Sequence, residues 1–169
     1  MTYRGRVITV STRAAAGQWQ DTSGPIIVEG LRSLGLEVDE PTVVADGEPV
    51  VEALLAAIAE GVHIVVTTGG TGHTPRDLTP EMTRRVIDRE SPGLAEAIRS
   101  YGVAHGVPTA VLSRGVAGLA GTTLVVNAPG SSGGAKDTVA ALSPILLHAL
   151  DQIGGGDHAR PENPPTVAP

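Results

Sequence analysis

The chain has 169 residues, with 12 Lys and Arg against 18 Asp and Glu, 41% hydrophobic residues and no Cys. This length predicts one soluble domain, and its core must be aliphatic because Phe is absent. The absence of Cys excludes disulfides, thiolate metal sites and a cysteine nucleophile, and the net charge of -6 argues against binding to nucleic acid or to a membrane.

The N-terminal half alternates predicted strands with predicted helices. A run rich in β-branched residues predicts a first strand over 6–10, and apolar residues at helical spacing predict a helix over 23–34. A second strand over 37–44, a helix that ends before Gly61 and a third strand over 62–68 follow.

The C-terminal half continues this alternation. Thr79-Pro80-Glu81 predicts the start of a helix, with Thr79 as a hydroxyl N-cap. Strands over 109–113 and 122–127 follow, and then a helical stretch over 135–153 that is interrupted at Pro144. The strands are continuously apolar rather than alternating, which is typical of strands buried on both faces. The pattern therefore predicts a three-layer α/β/α fold with a mostly parallel central sheet.

The composition changes at Gly154 to a Gly-rich and then Pro-rich stretch with almost no large apolar residue. We therefore predict one domain over residues 1–153 and a disordered tail over 154–169. The N-terminus shows no apolar signal core and no 18-residue apolar run, so a cytoplasmic location is the default expectation.

The segment 67–81 carries the clearest sign of a binding site. It reads Thr-Thr-Gly-Gly-Thr-Gly-His-Thr-Pro-Arg-Asp-Leu-Thr-Pro-Glu and follows an apolar strand directly. In open α/β sheets, ligands bind beyond the carboxyl ends of the strands, where glycines let backbone amides approach an anion. The segment lacks the third glycine of a dinucleotide fingerprint, and the chain has no P-loop sequence. It predicts another kind of anion-binding loop, with a plain strand-to-helix turn as the alternative.

Three further motifs accompany this segment along the chain. They are Ser11-Thr12-Arg13 followed by Gly17 and Asp21 to Gly24, then Leu112-Ser113-Arg114-Gly115, and then Asn127-Ala128-Pro129-Gly130. In this order, and over about residues 7–153, the four segments resemble the molybdenum-cofactor biosynthesis MoaB/Mog family. One position departs from that family, whose members commonly carry Asp where this chain has Thr12.

The resemblance implies a molybdopterin-binding domain, usually a homotrimer, that transfers AMP from Mg-ATP to the phosphate of molybdopterin and releases pyrophosphate. It implies Asp46 and Asp77 as the catalytic residues and as the residues that position Mg²⁺, with ATP and molybdopterin as substrates. A molybdenum-insertion enzyme is the expected protein partner. The residues expected to bind substrate are Ser11, Arg13, Thr68, Gly69, Gly70, Thr71, Gly72, Ser113, Asn127, Pro129 and Gly130.

Other interpretations remain open for the whole chain. Thr12 favours a non-catalytic molybdopterin-binding paralogue or scaffold protein as the alternative function. A weaker alternative is the related domain of competence-damage proteins and molybdate-inserting enzymes, which are normally longer chains. The run 130–134 matches the nucleophile elbow Gly-x-Ser-x-Gly, but no acid and histidine follow it at positions that would complete a triad.

Single residues also have simpler interpretations. Asp46 precedes a glycine, as turn residues often do, and Asp21 is placed to cap the helix that follows it. Arg13 and Arg114 are expected either to contact phosphate or to be solvated charges. A Trp usually packs in the core, but the two glutamines beside Trp19 favour a partly exposed ring that could cover a flat pterin.

Overall fold

Seven strands form one mixed sheet with helices on both faces in the computed structural model, which describes residues 2–156. The strands are β1 (Arg4–Val10), β2 (Glu37–Val38), β3 (Thr42–Val44), β4 (Ile64–Thr68), β5 (Arg89–Glu90), β6 (Ala117–Ala120) and β7 (Thr123–Ala128). The helices are α1 (Thr12–Ala15), α2 (Ser23–Ser33), α3 (Glu48–Ala59), α4 (Thr79–Arg84), α5 (Pro92–Ala104), α6 (Ser132–Leu142) and α7 (Leu146–Ile153), with a 3₁₀ helix at Pro108–Leu112. Most of the predicted tail, residues 157–169, lies outside the described residues.

The centre of the sheet is the parallel trio β1, β4 and β7. The register pairs Thr9 with Thr68 and Thr68 with Ala128, so the three strands end side by side. β2 and β3 extend the sheet in parallel beside β1, whereas β6 and β5 continue it beyond β7 as antiparallel strands. The predicted three-layer fold with a mostly parallel sheet is confirmed.

The central strands are buried on both faces. Val7, Ile64 and Val66 pack against α2, α5, α6 and α7, whereas Val65 and Val125 pack against α3 and the segment that includes α4. Because successive side chains of a strand point to opposite faces, burial on both faces requires an apolar residue at nearly every position. This double burial explains the continuous apolar runs in the sequence.

The prediction of a strand over 109–113 is wrong, because Pro108–Leu112 forms a 3₁₀ helix. The amide of Ser113 donates to the carbonyl of Ala110, so the segment satisfies its own backbone instead of pairing with a strand. Val111 is 61% exposed and Leu112 55% exposed, so these apolar side chains do not draw the segment into the sheet.

Other strand predictions differ in extent. The run predicted over 37–44 is two short strands, β2 and β3, with Pro41 between them. β5 and β6 are absent from the prediction, and the sequence Ala-Gly-Leu-Ala of β6 contains no β-branched residue to indicate a strand. No helix within the part of the chain that the structure describes is long and apolar enough to cross a membrane.

The contact between α2 and α6 depends on the small size of Gly30, and we expect Gly30→Ala to destabilise the fold. A Cβ on Gly30 would lie 2.5 and 2.6 Å from the two γ-methyl carbons of Val139, whose branched side chain has little freedom to move. Helix propensity alone would add about 1 kcal/mol of stability, but overpacking costs about 1–3 kcal/mol. Denaturant unfolding measures the change.

The matched variants for this test are Val139→Ala and the double variant Gly30→Ala/Val139→Ala. We expect the double variant to lose less unfolding free energy than the two single variants lose in sum, since the alanine at 139 removes the collision. A single Gly30→Ala variant that is more stable than the unchanged chain would contradict this account of the helix contact.

Candidate functional site

The site begins at a backbone junction where β1, β4 and β7 end. Gly69 follows β4 with φ +102°, and a Cβ there would lie 2.3 Å from the carbonyl oxygen of Val10 at the end of β1. The amide of Gly69 donates to the carbonyl of Ala128 at 3.1 Å. The hydroxyl of Thr68 donates to the carbonyl of Pro129 at 2.8 Å. Glycine is required at position 69, both for the left-handed backbone and for the close approach of Val10.

Two cavities lie beside this junction. The first, which we term the acidic cleft, has a volume of about 910 Å³ and is lined by residues 9–14, 19–23, Asp46, 68–70, 74–77 and Gly130. The second cavity, of about 630 Å³, has a wall formed by 71–73 and faces residues of α5, of the 3₁₀ helix and of the start of α6. The glycine-rich loop therefore contributes to both cavities.

The structure divides the predicted site residues between these two cavities. Those in the acidic cleft are Ser11, Arg13, Asp46, Thr68, Gly69, Gly70, Asp77 and Gly130. Those in the second cavity are Thr71, Gly72, Ser113 and Pro129. Asn127 lines neither cavity.

Asn127 is buried, with its polar atoms bonded inside the fold. Its amide nitrogen donates to the hydroxyls of Thr67 and Thr83, both at 2.9 Å. Its side-chain oxygen accepts from the amide of Val116 at 3.1 Å. In this arrangement Asn127 joins β7 to β4 and α4, so it stabilises the elements that carry the site without lining a cavity.

Asp46 lies between α1 and the glycine-rich loop. Its Oδ2 accepts hydrogen bonds from the hydroxyl of Thr12 at 2.6 Å and from the amide of Thr12 at 3.1 Å. Its Oδ1 faces Gly70, at 3.1 Å from the position that a Cβ on Gly70 would take. Thr12, the residue that departs from the family pattern, therefore orients the carboxylate of Asp46 directly.

Asp77 closes the far end of the glycine-rich loop. Its Oδ2 accepts from the amide of Thr74 at 2.8 Å, and its own amide donates to the carbonyl of Thr74 at 3.0 Å. Within residues 2–156, no hydrogen bond is made to Oδ1 of Asp46 or of Asp77. Each carboxylate is thus oriented by hydrogen bonds to its Oδ2, and both residues line the acidic cleft.

Arg114 holds the loop that carries Asp77. Its guanidinium donates to the carbonyls of Gly72 at 2.7 Å and of Asp77 at 2.6 Å, and it forms an ion pair with Glu81. Its amide donates to the carbonyl of Thr71 at 2.9 Å. The hydrogen bond from Arg114 lowers the pKa of Glu81, and the same bond raises the pKa of Arg114. Arg114 lines neither cavity, so it is an anchor of the loop.

Carboxylates outnumber cations on the walls of the acidic cleft. The carboxylates are Asp21, Asp46 and Asp77, and the cations are Arg13 and Arg76. Asp21 accepts from the hydroxyl of Thr9 at 2.7 Å and from the amide of Gly24 at 2.9 Å, which matches its simpler interpretation as a helix cap. No group of three or more His, Cys, Asp or Glu residues that could hold a metal occurs in residues 2–156.

Trp19 lies on the wall of the acidic cleft and is 59% exposed, as its polar neighbours in the sequence indicate. The guanidinium carbon of Arg13 lies 4.3 Å from the centre of the indole ring, which is a cation–π contact. The ring is thus exposed but oriented by its neighbour.

The expectation that Thr79 caps α4 with its hydroxyl is wrong. Leu78 occupies the N-cap position, and Thr79 is buried as the first residue of the helix. Its hydroxyl oxygen has no hydrogen-bond partner among the described residues, and it lies 2.2 Å from the position of a Cβ on Gly70. A buried hydroxyl without a partner is costly, so this atom lowers the stability of the folded chain.

Comparison with known proteins gives a consistent family. A family model described as a probable molybdopterin binding domain matches residues 6–148. A molybdenum cofactor biosynthesis bifunctional protein of Chlorobaculum tepidum is 38% identical over 157 residues, which cover 92% of this chain and 50% of the relative. A molybdopterin adenylyltransferase of Haemophilus influenzae is 39% identical over 137 residues, which cover 79% of this chain and 69% of the relative.

Solved structures agree with this result. The molybdopterin biosynthesis Mog protein from Mycobacterium ulcerans is 51% identical, with a TM-score of 0.84 over 90% of this chain and 99% of that chain. The tungsten cofactor synthesizing protein MoaB from Pyrococcus furiosus is 34% identical, with a TM-score of 0.82 over 90% of this chain and 97% of that chain. The chain spans about half the length of the bifunctional relatives that it matches.

Removal of the unpartnered hydroxyl in Thr79→Val should stabilise the protein. Valine has nearly the same shape as threonine, and an unpaired buried polar group costs about 1–3 kcal/mol. We therefore expect the free energy of unfolding, measured in denaturant without ligand, to rise by about 1 kcal/mol. Thr83→Val is the matched control and should lose stability, because the hydroxyl of Thr83 accepts from Asn127. A loss of stability in Thr79→Val would show that the hydroxyl has a partner in solution.

The Arg114–Glu81 pair should make loop stability depend on pH in acid. Because Arg114 holds the pKa of Glu81 below its ordinary 4.5, the pair contributes fully above about pH 4.5, and this contribution is lost as the pH falls through the lower pKa of the folded state. Both side chains are partly exposed, so Glu81→Gln should cost about 1 kcal/mol or less near neutral pH. The measurement is the difference in unfolding free energy between Glu81→Gln and the unchanged chain, which should shrink progressively as the pH is lowered below 4.5. A difference that is constant with pH would contradict the assignment.

Proposed function

The chain belongs to the molybdopterin-binding MoaB/Mog family, and on that premise we propose that it is a molybdopterin adenylyltransferase that uses Mg-ATP. The observation that carries the proposal is the acidic cleft, in which Asp46 and Asp77 flank the glycines of the loop after β4. The H. influenzae relative, which is named a molybdopterin adenylyltransferase, supports the same reaction.

The proposed reaction is a phosphoryl-type transfer. An oxygen of the molybdopterin phosphate attacks the α-phosphorus of ATP, the bond from that phosphorus to the oxygen bridging the α- and β-phosphates breaks, and pyrophosphate leaves with the bonding electrons. The attacking phosphate is already largely ionised at neutral pH, so the reaction needs alignment and charge neutralisation more than a strong base. The junction around Gly69 suits this task, because glycines 69–70 and both carboxylates line one cleft beside it.

Magnesium suits the charges of the cleft. A polyphosphate would meet three carboxylates and only two arginines on the walls, so a bare anion would be repelled. Mg²⁺ prefers one or two carboxylates, with phosphate oxygens and water completing its shell. We propose that Asp46 and Asp77 would hold it, since both line the cleft and each carboxylate is already oriented by a hydrogen bond, from Thr12 or from Thr74. The bound ion would neutralise charge on the phosphates.

A second candidate function is binding of molybdopterin without catalysis. It is favoured by Thr12, because an aspartate in that position would place a further carboxylate beside Asp46, where this chain has a hydroxyl donor. A simple assay distinguishes the two functions, because a binding-only protein retains pterin and releases no pyrophosphate.

The proposal extends to assembly. We propose that the protein acts as a homotrimer and passes its product, AMP-molybdopterin, to a molybdenum-insertion enzyme. The support is the resemblance to the family, together with the bifunctional C. tepidum relative, in which half of the length lies outside the matched region.

We expect Asp77→Asn to fold normally and to release pyrophosphate from molybdopterin and Mg-ATP at a rate lower by about 100-fold or more, because a preorganised charge is lost. The asparagine keeps an oxygen that accepts from the amide of Thr74, so the loop should remain closed. Pyrophosphate release and the AMP-pterin product are measured together.

The matched control is Asp151→Asn, which removes one carboxylate on α7 outside both cavities and should leave turnover unchanged. Turnover of Asp77→Asn equal to that of the unchanged chain would remove Asp77 from the mechanism. Pterin binding without any pyrophosphate release by the unchanged chain would favour the binding-only function.

A further inference from the structure

Trp19 is the only tryptophan of the chain, and its ring is exposed on the wall of the acidic cleft. We propose that the indole of Trp19 is a stacking platform for the planar nitrogen heterocycle of a substrate whose phosphate lies against the glycine-rich loop. This inference rests on the proposed function. It adds a binding residue that the transfer of AMP does not by itself require.

The exposure of the indole is unusual on physical grounds. Burial of a large aromatic ring is strongly favourable, so a ring that stays 59% exposed gives up stability in the free protein. Trp19 belongs to neither of the two apolar clusters that form the core. A ligand that covers the ring would recover this contact when it binds.

The ring is nevertheless held in place. Trp19 follows a tight turn in which the amide of Gly17 donates to the carbonyl of Ala14 at 3.0 Å and the amide of Gln18 donates to the carbonyl of Arg13 at 2.9 Å. Gly17 has φ +71°, which allows this turn. Arg13 then packs over the indole at 4.3 Å from its centre. A platform that is ordered before binding loses little entropy when the ligand arrives.

The position of the ring relates it to phosphate chemistry. The same cleft contains the Trp19–Arg13 pair, the glycines 69–70 and the carboxylates of Asp46 and Asp77. A ligand with a flat heterocycle joined to a phosphate can therefore use the indole and the loop at once. Adenine of ATP and the pterin of molybdopterin share this chemistry, and separate probes distinguish them.

The experiment measures dissociation constants by calorimetry for three probes: AMP with Mg²⁺, ribose 5-phosphate with Mg²⁺, and neopterin. Variants are Trp19→Phe, Trp19→Ala and the control Leu55→Ala, which truncates a similarly exposed apolar side chain on α3 outside both cavities. Because the chain has one tryptophan, quenching of its fluorescence by AMP reports contact with the ring directly.

We expect Trp19→Ala to weaken binding of AMP or of neopterin by roughly 5- to 100-fold, the range for stacking of one base on an aromatic ring. Trp19→Phe should keep most of the affinity, Leu55→Ala should keep all of it, and ribose 5-phosphate should bind equally to Trp19→Ala and to the unchanged chain. The probe that loses affinity identifies which heterocycle the platform takes.

The inference would be overturned if Trp19→Ala bound both AMP and neopterin as tightly as the unchanged chain does. It would also be overturned if the unchanged chain bound neither probe measurably. A change of oligomeric state without a change of affinity would also overturn it, since the ring would then belong to an interface. These outcomes are separate from the proposed function. If the unchanged chain releases pyrophosphate but its affinity for the probes does not depend on Trp19, only the stacking role of Trp19 is excluded. If binding depends on Trp19 but the unchanged chain releases no pyrophosphate, only the transferase activity is excluded.

Discussion

The close packing of backbone around Gly69 is the constraint on which the site depends. The carbonyl of Val10 occupies the space that a side chain at 69 would need, and Gly130 approaches so closely that its own Cβ would lie 3.0 Å from the Cα of Gly69. With the bond from the amide of Gly69 to Ala128, these contacts join the ends of β1, β4 and β7. The loops that leave these strands must therefore diverge around one point, and the acidic cleft is the space between them.

Asp46 and Asp77 are oriented by hydrogen bonds from their own loop or from other loops. Thr12 after β1 orients Asp46 after β3, while Thr74 and Arg114 fix the turn that carries Asp77. In each carboxylate it is Oδ2 that accepts these hydrogen bonds. The orientation of these charges is therefore set by the protein itself before a ligand arrives, as electrostatic preorganisation requires.

Much of the fold could be predicted from the sequence, because burial on both faces of β1, β4 and β7 requires continuous apolar runs that are visible in the chain. The errors have physical causes. The apolar residues Val111 and Leu112 indicate a strand but are exposed in a 3₁₀ helix. β6 has no β-branched residue and yet pairs with both β5 and β7.

The sequence could not predict which side chains of the site contact one another. The resemblance to the family assigned Asp46 and Asp77 to one site. The sequence pattern cannot show that Thr12 donates a hydrogen bond to Asp46, since these residues are 34 positions apart. The same limit applies to the anchoring role of Arg114 and to Thr79, whose hydroxyl satisfies the sequence rule for a cap and yet makes no cap bond. Asn127 shows the converse case, because a motif residue expected in the pocket is bonded inside the fold.

The central claim is that the glycine-rich loop and the two carboxylates form one phosphate-binding cleft. The most direct test is a titration of ¹⁵N-labelled protein with Mg²⁺ and AMP, followed through the backbone amide resonances. The account predicts that the amides of Gly69, Gly70, Thr12 and Asp46 shift together with one dissociation constant, while those of Gly102 and Gly134 in the second cavity respond less. Shifts confined to the second cavity, or to residues outside both cavities, would contradict it.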